Sequence, residues 1–167
     1  MKLTLTTSLL VLFFSCKQEK PVSSFNKENW SKRSIDRNTD SLNLGSTYLS
    51  IYSEIYERNE QGTHFLASTV SMRNISSEDT LYILNAAYYD TKGTLIRTYF
   101  DDPIYLLPLE TVEIVIDKDD RTGGTGANFI FDWASPNATM EPFFEAVMIS
   151  TSSQQGISFT TQGIRRY

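Results

Sequence analysis

Strict alternation of apolar and polar residues is the feature that most constrains what this chain can fold into. In Thr111-Val112-Glu113-Ile114-Val115-Ile116-Asp117, Val112, Ile114 and Ile116 fall on one side, and Thr111, Glu113 and Asp117 on the other. A period of two belongs to an extended strand with one buried face, because successive side chains of a strand point to opposite faces. Asn128-Phe129-Ile130-Phe131-Asp132-Trp133 repeats the pattern, with Phe129, Phe131 and Trp133 inward. Leu66, Val70 and Met72 alternate against Ala67, Thr69, Ser71 and Arg73, and Ile157 and Phe159 alternate near the C-terminus.

The punctuation between these runs agrees. Asp90-Thr91-Lys92-Gly93 separates the strand-like runs 81–89 and 95–100, and Gly93 can take the positive φ that closes such a hairpin. Asn74 to Asp79 reads as a second loop, while Pro103 and Pro108 mark edges or turns. About eight strands at this spacing predict an all-β fold, an antiparallel β-sandwich of immunoglobulin-like type, with a jelly-roll-like variant second. Residues 53–60 stay open between a helical turn and a strand. Tyr48, Tyr52 and Tyr56 suit a helical spacing of four and also one face of a strand.

The first sixteen residues read as an export signal. Lys2 supplies the positive charge, and Leu9 to Phe14 an apolar stretch far below the ~20 residues of a membrane-spanning helix. Leu12-Phe13-Phe14-Ser15-Cys16 resembles a bacterial lipobox, with Phe13 bulkier than the preferred leucine. Cys16 is the only cysteine. One unpaired thiol is unusual in an exported protein, and acylation removes it.

The expected organisation is therefore a lipoprotein signal peptide at 1–15, a lipidated Cys16 with a flexible tether over 16–45, and a β-sandwich domain over 46–167. The polar stretch from Lys17 to Gly45 is interrupted by Trp30 and Ile35, and Trp30 is a candidate to dock on the domain. A flexible chain of ~29 residues has an r.m.s. reach on the order of 30 Å. Asp40-Ser41-Leu42 resembles the O-glycosylation sites of one bacterial phylum, which makes Ser41 a glycosylation candidate. Cleavage leaves 14 basic against 20 acidic residues, a formal charge of −6. That balance argues against nucleic acid, and against a polybasic grip on anionic lipid. The expected address is the cell envelope, on the outer membrane in preference to the inner, with the domain in the periplasm or at the cell surface.

Catalytic chemistry finds little to work with. Nucleophilic catalysis needs a base beside the nucleophile, and His64 is the one histidine, at the start of a predicted strand. No Gly-x-Ser-x-Gly elbow occurs. The chain is read as a non-enzyme without a cofactor. Asp117 and Asp119 are weak calcium candidates, because Arg121 takes the next alternating position and no closing glutamate follows in register. The glycines of Arg121-Thr122-Gly123-Gly124-Thr125-Gly126-Ala127-Asn128 could bring backbone close to a ligand or form an anion nest. A phosphate loop would need a helix and a lysine next, whereas a Phe-rich strand follows, so a tight crossover between strands is the favoured reading.

Several segments carry a resemblance. They are Thr122 through Ile130, Glu145-Ala146-Val147-Met148-Ile149, Gln154-Gln155-Gly156-Ile157-Ser158-Phe159, and Tyr88-Tyr89-Asp90 with Gly93. On these motifs the chain resembles the bacterial family called domain of unknown function 3124, over roughly Gly45 to Ile164. Thr122 and Thr125 stand where serine is expected, which keeps the hydroxyl. The resemblance implies a single exported domain, often lipid-anchored, and it implies no activity and supplies no catalytic residues.

It also singles out two polar loops, because an apolar core tolerates many swaps and seldom dictates such segments. Thr122, Gly123, Gly124, Thr125, Gly126 and Asn128 are accordingly one candidate recognition loop, with Gln154, Gln155 and Gly156 as the other. Both are expected at one end of the sandwich. The function expected is a membrane-anchored module that binds an envelope protein or a glycan. The alternative is small-molecule, anion or calcium binding through the Asp117–Asn128 loop.

Overall fold

The computed structural model describes residues 29–36, 41–151 and 156–167. The strands are β1 (Asn43–Ile51), β2 (Glu54–Tyr56), β3 (Thr63–Phe65), β4 (Ala67–Arg73), β5 (Leu81–Tyr89) and β6 (Leu95–Thr98). They continue as β7 (Ile104–Leu106), β8 (Thr111–Ile116), β9 (Ala127–Ser135), β10 (Phe143–Ser150), β11 (Ile157–Gln162) and β12 (Ile164–Arg165). The larger sheet runs β12-β1-β9-β5-β6, with β7 also on β5, and the smaller runs β11-β10-β4-β8. Every pairing in them is antiparallel. The result is the all-β sandwich expected. The strands beyond the expected eight are short ones, β2, β3, β7 and β12.

The path from β4 through β5, β6 and β8 to β9 alternates between the sheets as strands B, C, C′, E and F of an immunoglobulin sandwich do. The flanks differ from that scheme. Beside β9 the place of strand G is taken by β1, and beside β4 the place of strand A by β10.

Alternation builds the core as expected. Val112, Ile114 and Ile116 of β8 are buried, as are Phe129, Phe131 and Trp133 of β9 and Val70 and Met72 of β4. Phe131 lies between Phe129, 5.2 Å away by ring centroid, and Phe144 of the opposite sheet at 4.3 Å. Trp133 satisfies its indole N–H on the Thr47 hydroxyl at 3.0 Å. Its ring fills the space where Gly45 would carry a Cβ, at 2.3 Å, so only glycine fits there.

Residues 53–60 hold no helical turn. β2 and β3 form a small hairpin, in which Tyr56 is exposed, while Tyr52 packs edge-on against Phe159 at 5.7 Å. The fold also begins earlier than the alternation suggests, since β1 starts at Asn43. Upstream, Trp30–Lys32 forms a 3-10 turn, and Trp30 packs on Phe100 at 5.3 Å. Ser34 then bridges Ile104, and Ile35 donates its N–H to the Pro103 carbonyl at 2.9 Å. This part of the expected tether lies against the domain. Cys16, Gln154 and Gln155 fall outside the described residues.

Register separates the two ends of the sandwich. Ile51, Ala127, Tyr89 and Leu95 close one end of the larger sheet, and Ala67, Ile116, Ser150 and Ile157 close the same end of the smaller. This is the crossover end, where the chain passes between sheets at 117–126. The opposite, entry end carries the start of β1 and the loops 74–80 and 107–110.

Candidate functional site

The Gly-rich loop is a lock between the sheets, and each of its unusual residues has a structural task. Gly123 is required for space. A Cβ there would lie 2.0 Å from the Tyr88 hydroxyl, and 2.7 Å from both Ala127 Cβ and Ser53 Oγ. Gly124 is required for conformation, at φ +72°. The Gly123 carbonyl accepts from the Thr91 N–H at 3.1 Å and the Thr91 hydroxyl at 3.0 Å, and the Gly124 carbonyl accepts from the Ser53 N–H at 3.1 Å. The amides are engaged too. Gly126 donates to Thr91 Oγ1 at 2.9 Å, Gly124 to the Arg121 carbonyl at 3.1 Å, and Thr122 to Asp120 Oδ1 at 3.2 Å. Thr125 lies in the 3-10 turn Gly124–Gly126.

Under the loop sits a buried polar cluster. Asp120, 2 % exposed, pairs with Arg97 and accepts the Thr122 hydroxyl at 2.6 Å. Burial alone would raise the Asp120 pKa. The bonds from Thr122 and the Arg97 guanidinium outweigh it and hold the carboxyl below the usual range. Arg97 also faces the rings of Tyr88 and Tyr99, at 5.3 and 5.5 Å. Tyr88 shares a 2.9 Å hydrogen bond with Ser53, and burial pushes its phenol up to about 12.

Of the two weak calcium candidates, Asp117 is engaged locally. Asp117 Oδ1 accepts the Asp119 N–H at 2.8 Å in a turn, and the next carboxylate, Asp120, is committed to Arg97. Among the described residues, no group of three or more His, Cys, Asp or Glu side chains is placed to hold a metal. His64 sits half-buried on β3 with Nε2 at 3.7 Å from the Glu57 carboxylate. Gly156 is exposed just before β11, and the strand residues bounding its loop, Ser150 and Ile157, stand at the crossover end with the Gly-rich loop.

Asn128 behaves differently from its loop. It is the first outward residue of β9, and it opens onto a polar groove of about 400 Å³ on the solvent face of the larger sheet. Asn128, Ile130 and Asp132 of β9 line it together with Asn85 and Tyr89 of the neighbouring β5 and with Arg166 and Tyr167. Cross-strand register pairs Asn128 with Tyr89 and Asp132 with Asn85, whose amide reaches Asp132 at 3.4 Å. The C-terminal residues are held to β1: Arg166 donates its N–H to the Ser46 carbonyl at 2.8 Å and its guanidinium to Ser46 Oγ at 3.2 Å. Amide, carboxylate, phenol and guanidinium groups thus converge on a shallow surface suited to hydrogen-bonding a polar ligand.

Period-two reading of β9 places Asn128 and Asp132 on one outer face, but nothing in the sequence singled out Asn85, Tyr89, Arg166 and Tyr167 as their neighbours. A β-bulge between Ile83 and Asn85 resets the alternation of β5 and conceals which of its residues face out.

The fold defines the class first: an antiparallel two-sheet sandwich with an immunoglobulin-like strand path and a locked crossover loop. The chain belongs to the family described as protein of unknown function DUF3124, whose model matches residues 45–165. That span takes in the Gly-rich loop and the strands of both sheets. A search of curated proteins gave no match. Among solved structures, the crystal structure of Thermotoga maritima 1070 is similar, at 8 % identity and a TM-score of 0.46, over 72 % of this chain and 92 % of that one.

Proposed function

We propose that this protein is a non-enzymatic binding module, held on an envelope membrane by lipid on Cys16, which takes an envelope protein or a glycan through the groove at Asn128. The observation that carries this reading is the contrast between loop and groove. The Gly-rich loop turns its carbonyls and amides inward, onto Thr91, Ser53, Asp120 and Arg121, whereas the strand it feeds turns Asn128 and Asp132 outward. Polar groups on a rigid sheet suit recognition, since the scaffold holds them in place before the ligand arrives. Anion or calcium binding by the Asp117–Asn128 loop is opposed by the same inward bonds.

Photo-crosslinking in intact cells tests the reading. A crosslinker replacing Asn128 is expected to trap a discrete adduct that one replacing Glu113, exposed on the other sheet, does not. Identical adducts from both positions would dismiss the groove. The mass of the mature chain tests the anchor separately, since an acylated Cys16 carries a diacylglycerol increment and a new N-terminus.

A further inference from the structure

At the entry end the chain exposes three large apolar side chains on two adjoining loops: Ile75 at 58 %, Leu107 at 50 % and Leu109 at 69 %. The loops are stitched together rather than loose. Asn74 donates its N–H to the Glu110 carbonyl, and Leu109 donates its N–H to Ser76, both at 2.9 Å. The Asn74 side chain, 2 % exposed, donates to the carbonyls of Asp79, Leu106 and Leu107 at 2.8 to 3.0 Å, and accepts the Ser76 N–H at 2.9 Å. Glu110 accepts the Leu107 N–H at 2.8 Å and pairs with Arg33 at 2.7 Å.

Within this frame Leu109 adopts φ +60°, the one non-glycine residue with positive φ among the described residues. A branched side chain is disfavoured there, and glycine would take that backbone readily. A leucine that is both strained and two-thirds exposed contributes little to the core. Its side chain is open to a surface outside the domain.

The course of the chain says what that is. Ser34 is joined to β7 at Ile104, and β7 runs on through Leu106 directly into Leu107. Because Trp30 to Ile35 is bound to the domain, only residues 17–28 separate Cys16 from the described fold. Thirteen peptide steps span at most about 45 Å, and the bound segment they lead to pairs Arg33 with Glu110 beside Leu109, so these loops lie within reach of a bilayer that holds lipid on Cys16.

We propose that Ile75, Leu107 and Leu109 form a membrane seat, entering the headgroup boundary of the bilayer that holds the Cys16 lipid. This rests on the lipid-anchor part of the reading above. The interaction is apolar insertion, as for amphipathic surfaces that sit in the interface plane, and not attraction to anionic lipid, because the charged residues of the two loops, Glu78, Asp79 and Glu110, are all negative. Seating the entry end turns the crossover end, with Asn128 and the mouth of the groove, away from the membrane. β9 alone spans about 27 Å between those ends.

The test uses the full lipidated chain in neutral phosphatidylcholine vesicles. Leu109→Cys is labelled with an environment-sensitive fluorophore, with Lys92→Cys in the Gly93 hairpin as the opposite-end control. The expected result is blue-shifted emission at position 109, quenched by lipids carrying a spin label near the headgroup, and neither effect at position 92. Leu107→Cys repeats the measurement should Leu109→Cys fail to fold. A blue shift that spin-labelled lipid does not quench means that a protein surface covers the patch, and it overturns the seat. Solvent-like emission at both 107 and 109 overturns it too. Labelling stoichiometry separates the two ideas: a single label per chain means that Cys16 is acylated, whereas a second label means that the anchor reading fails, whatever the seat does.

Discussion

The two ends of the sandwich solve their turns in opposite ways. At the crossover end, glycine occupies the positions where a side chain would collide or where φ is positive, and the polar groups of the loop are consumed inside the protein. At the entry end a leucine sits at positive φ although the site is open to solvent, and a buried asparagine holds the backbone in that shape. Sequence choice follows backbone need at Gly123 and Gly124 and defies it at Leu109. Places where local preference is overridden without a gain in packing are where function is to be looked for. The glycines and the buried polar pair of the crossover end should therefore hold stability, and the Leu109 side chain at the entry end should hold little of it.

Breaking the Arg97 pair is the strongest test of that division. Asp120→Ala leaves a half-buried guanidinium without its carboxylate. Loss of one partner of a buried pair costs about 3–5 kcal/mol, and the 23 % exposure of Arg97 places this case near the lower figure. Urea denaturation should show it, and a loss below about 1 kcal/mol, the range of surface pairs, would mean the crossover end is not a lock. The sign with pH is fixed by the depressed carboxyl. Its contribution is complete above pH 3.8, the ordinary value, and disappears as pH falls through the lower folded value. Asp120→Asn should flatten the acid limb of the stability curve.

Gly123→Ala comes next. The added methyl meets Tyr88, Ala127 and Ser53 at once, so a loss of about 2–3 kcal/mol is expected from overpacking. Gly93→Ala makes the comparison sharp, since nothing lies within 4 Å of its Cβ and only φ +78° opposes it. Its cost should stay near 1 kcal/mol, and equal losses at the two positions would show that space is not what Gly123 provides.

Tyr88→Phe is a smaller perturbation, leaving the Ser53 hydroxyl without its buried partner at about 1 kcal/mol. It carries a pH signature at the opposite limb. With the phenol raised to about 12 from 10.0, the stability it contributes is complete below pH 10 and is lost as pH rises toward 12. The substitution should reduce alkaline loss, with the remainder left to Tyr99, which burial also raises.

How far these features could be read from the sequence follows from the range of the interaction behind each. β8, β9 and the Gly93 hairpin were legible because period-two burial and a positive-φ turn are properties of neighbouring residues. The task of Gly123 was not, since the hydroxyl that needs the space belongs to Tyr88, 35 residues away and on another strand. Asp120 follows Asp119 with no local sign of burial, and only the fold brings Arg97 to it from β6. Half of the groove was legible in β9, while the bulge in β5 hid Asn85 and Tyr89. Pro108-Leu109 reads as an ordinary turn. Its strain appears only once Asn74 and Ser76 are seen to set the backbone.

That strain supplies the smallest effect and the most discriminating one, because its sign is reversed. A left-handed residue with a Cβ costs roughly 1–2 kcal/mol, and glycine gives back about 0.5–1 kcal/mol of that in chain entropy. Leu109→Gly should therefore raise stability by about 0.5–1 kcal/mol in the absence of vesicles, since little buried surface is lost from a side chain 69 % exposed. Gly124→Ala, at nearly the same φ, should lower it. If Leu109→Gly destabilises the protein instead, the leucine is a packing residue, and the contrast between the ends disappears. If it stabilises the fold while vesicle-bound protein loses protection of the 107–110 amides from hydrogen exchange, Leu109 is held in a costly backbone for the membrane's sake.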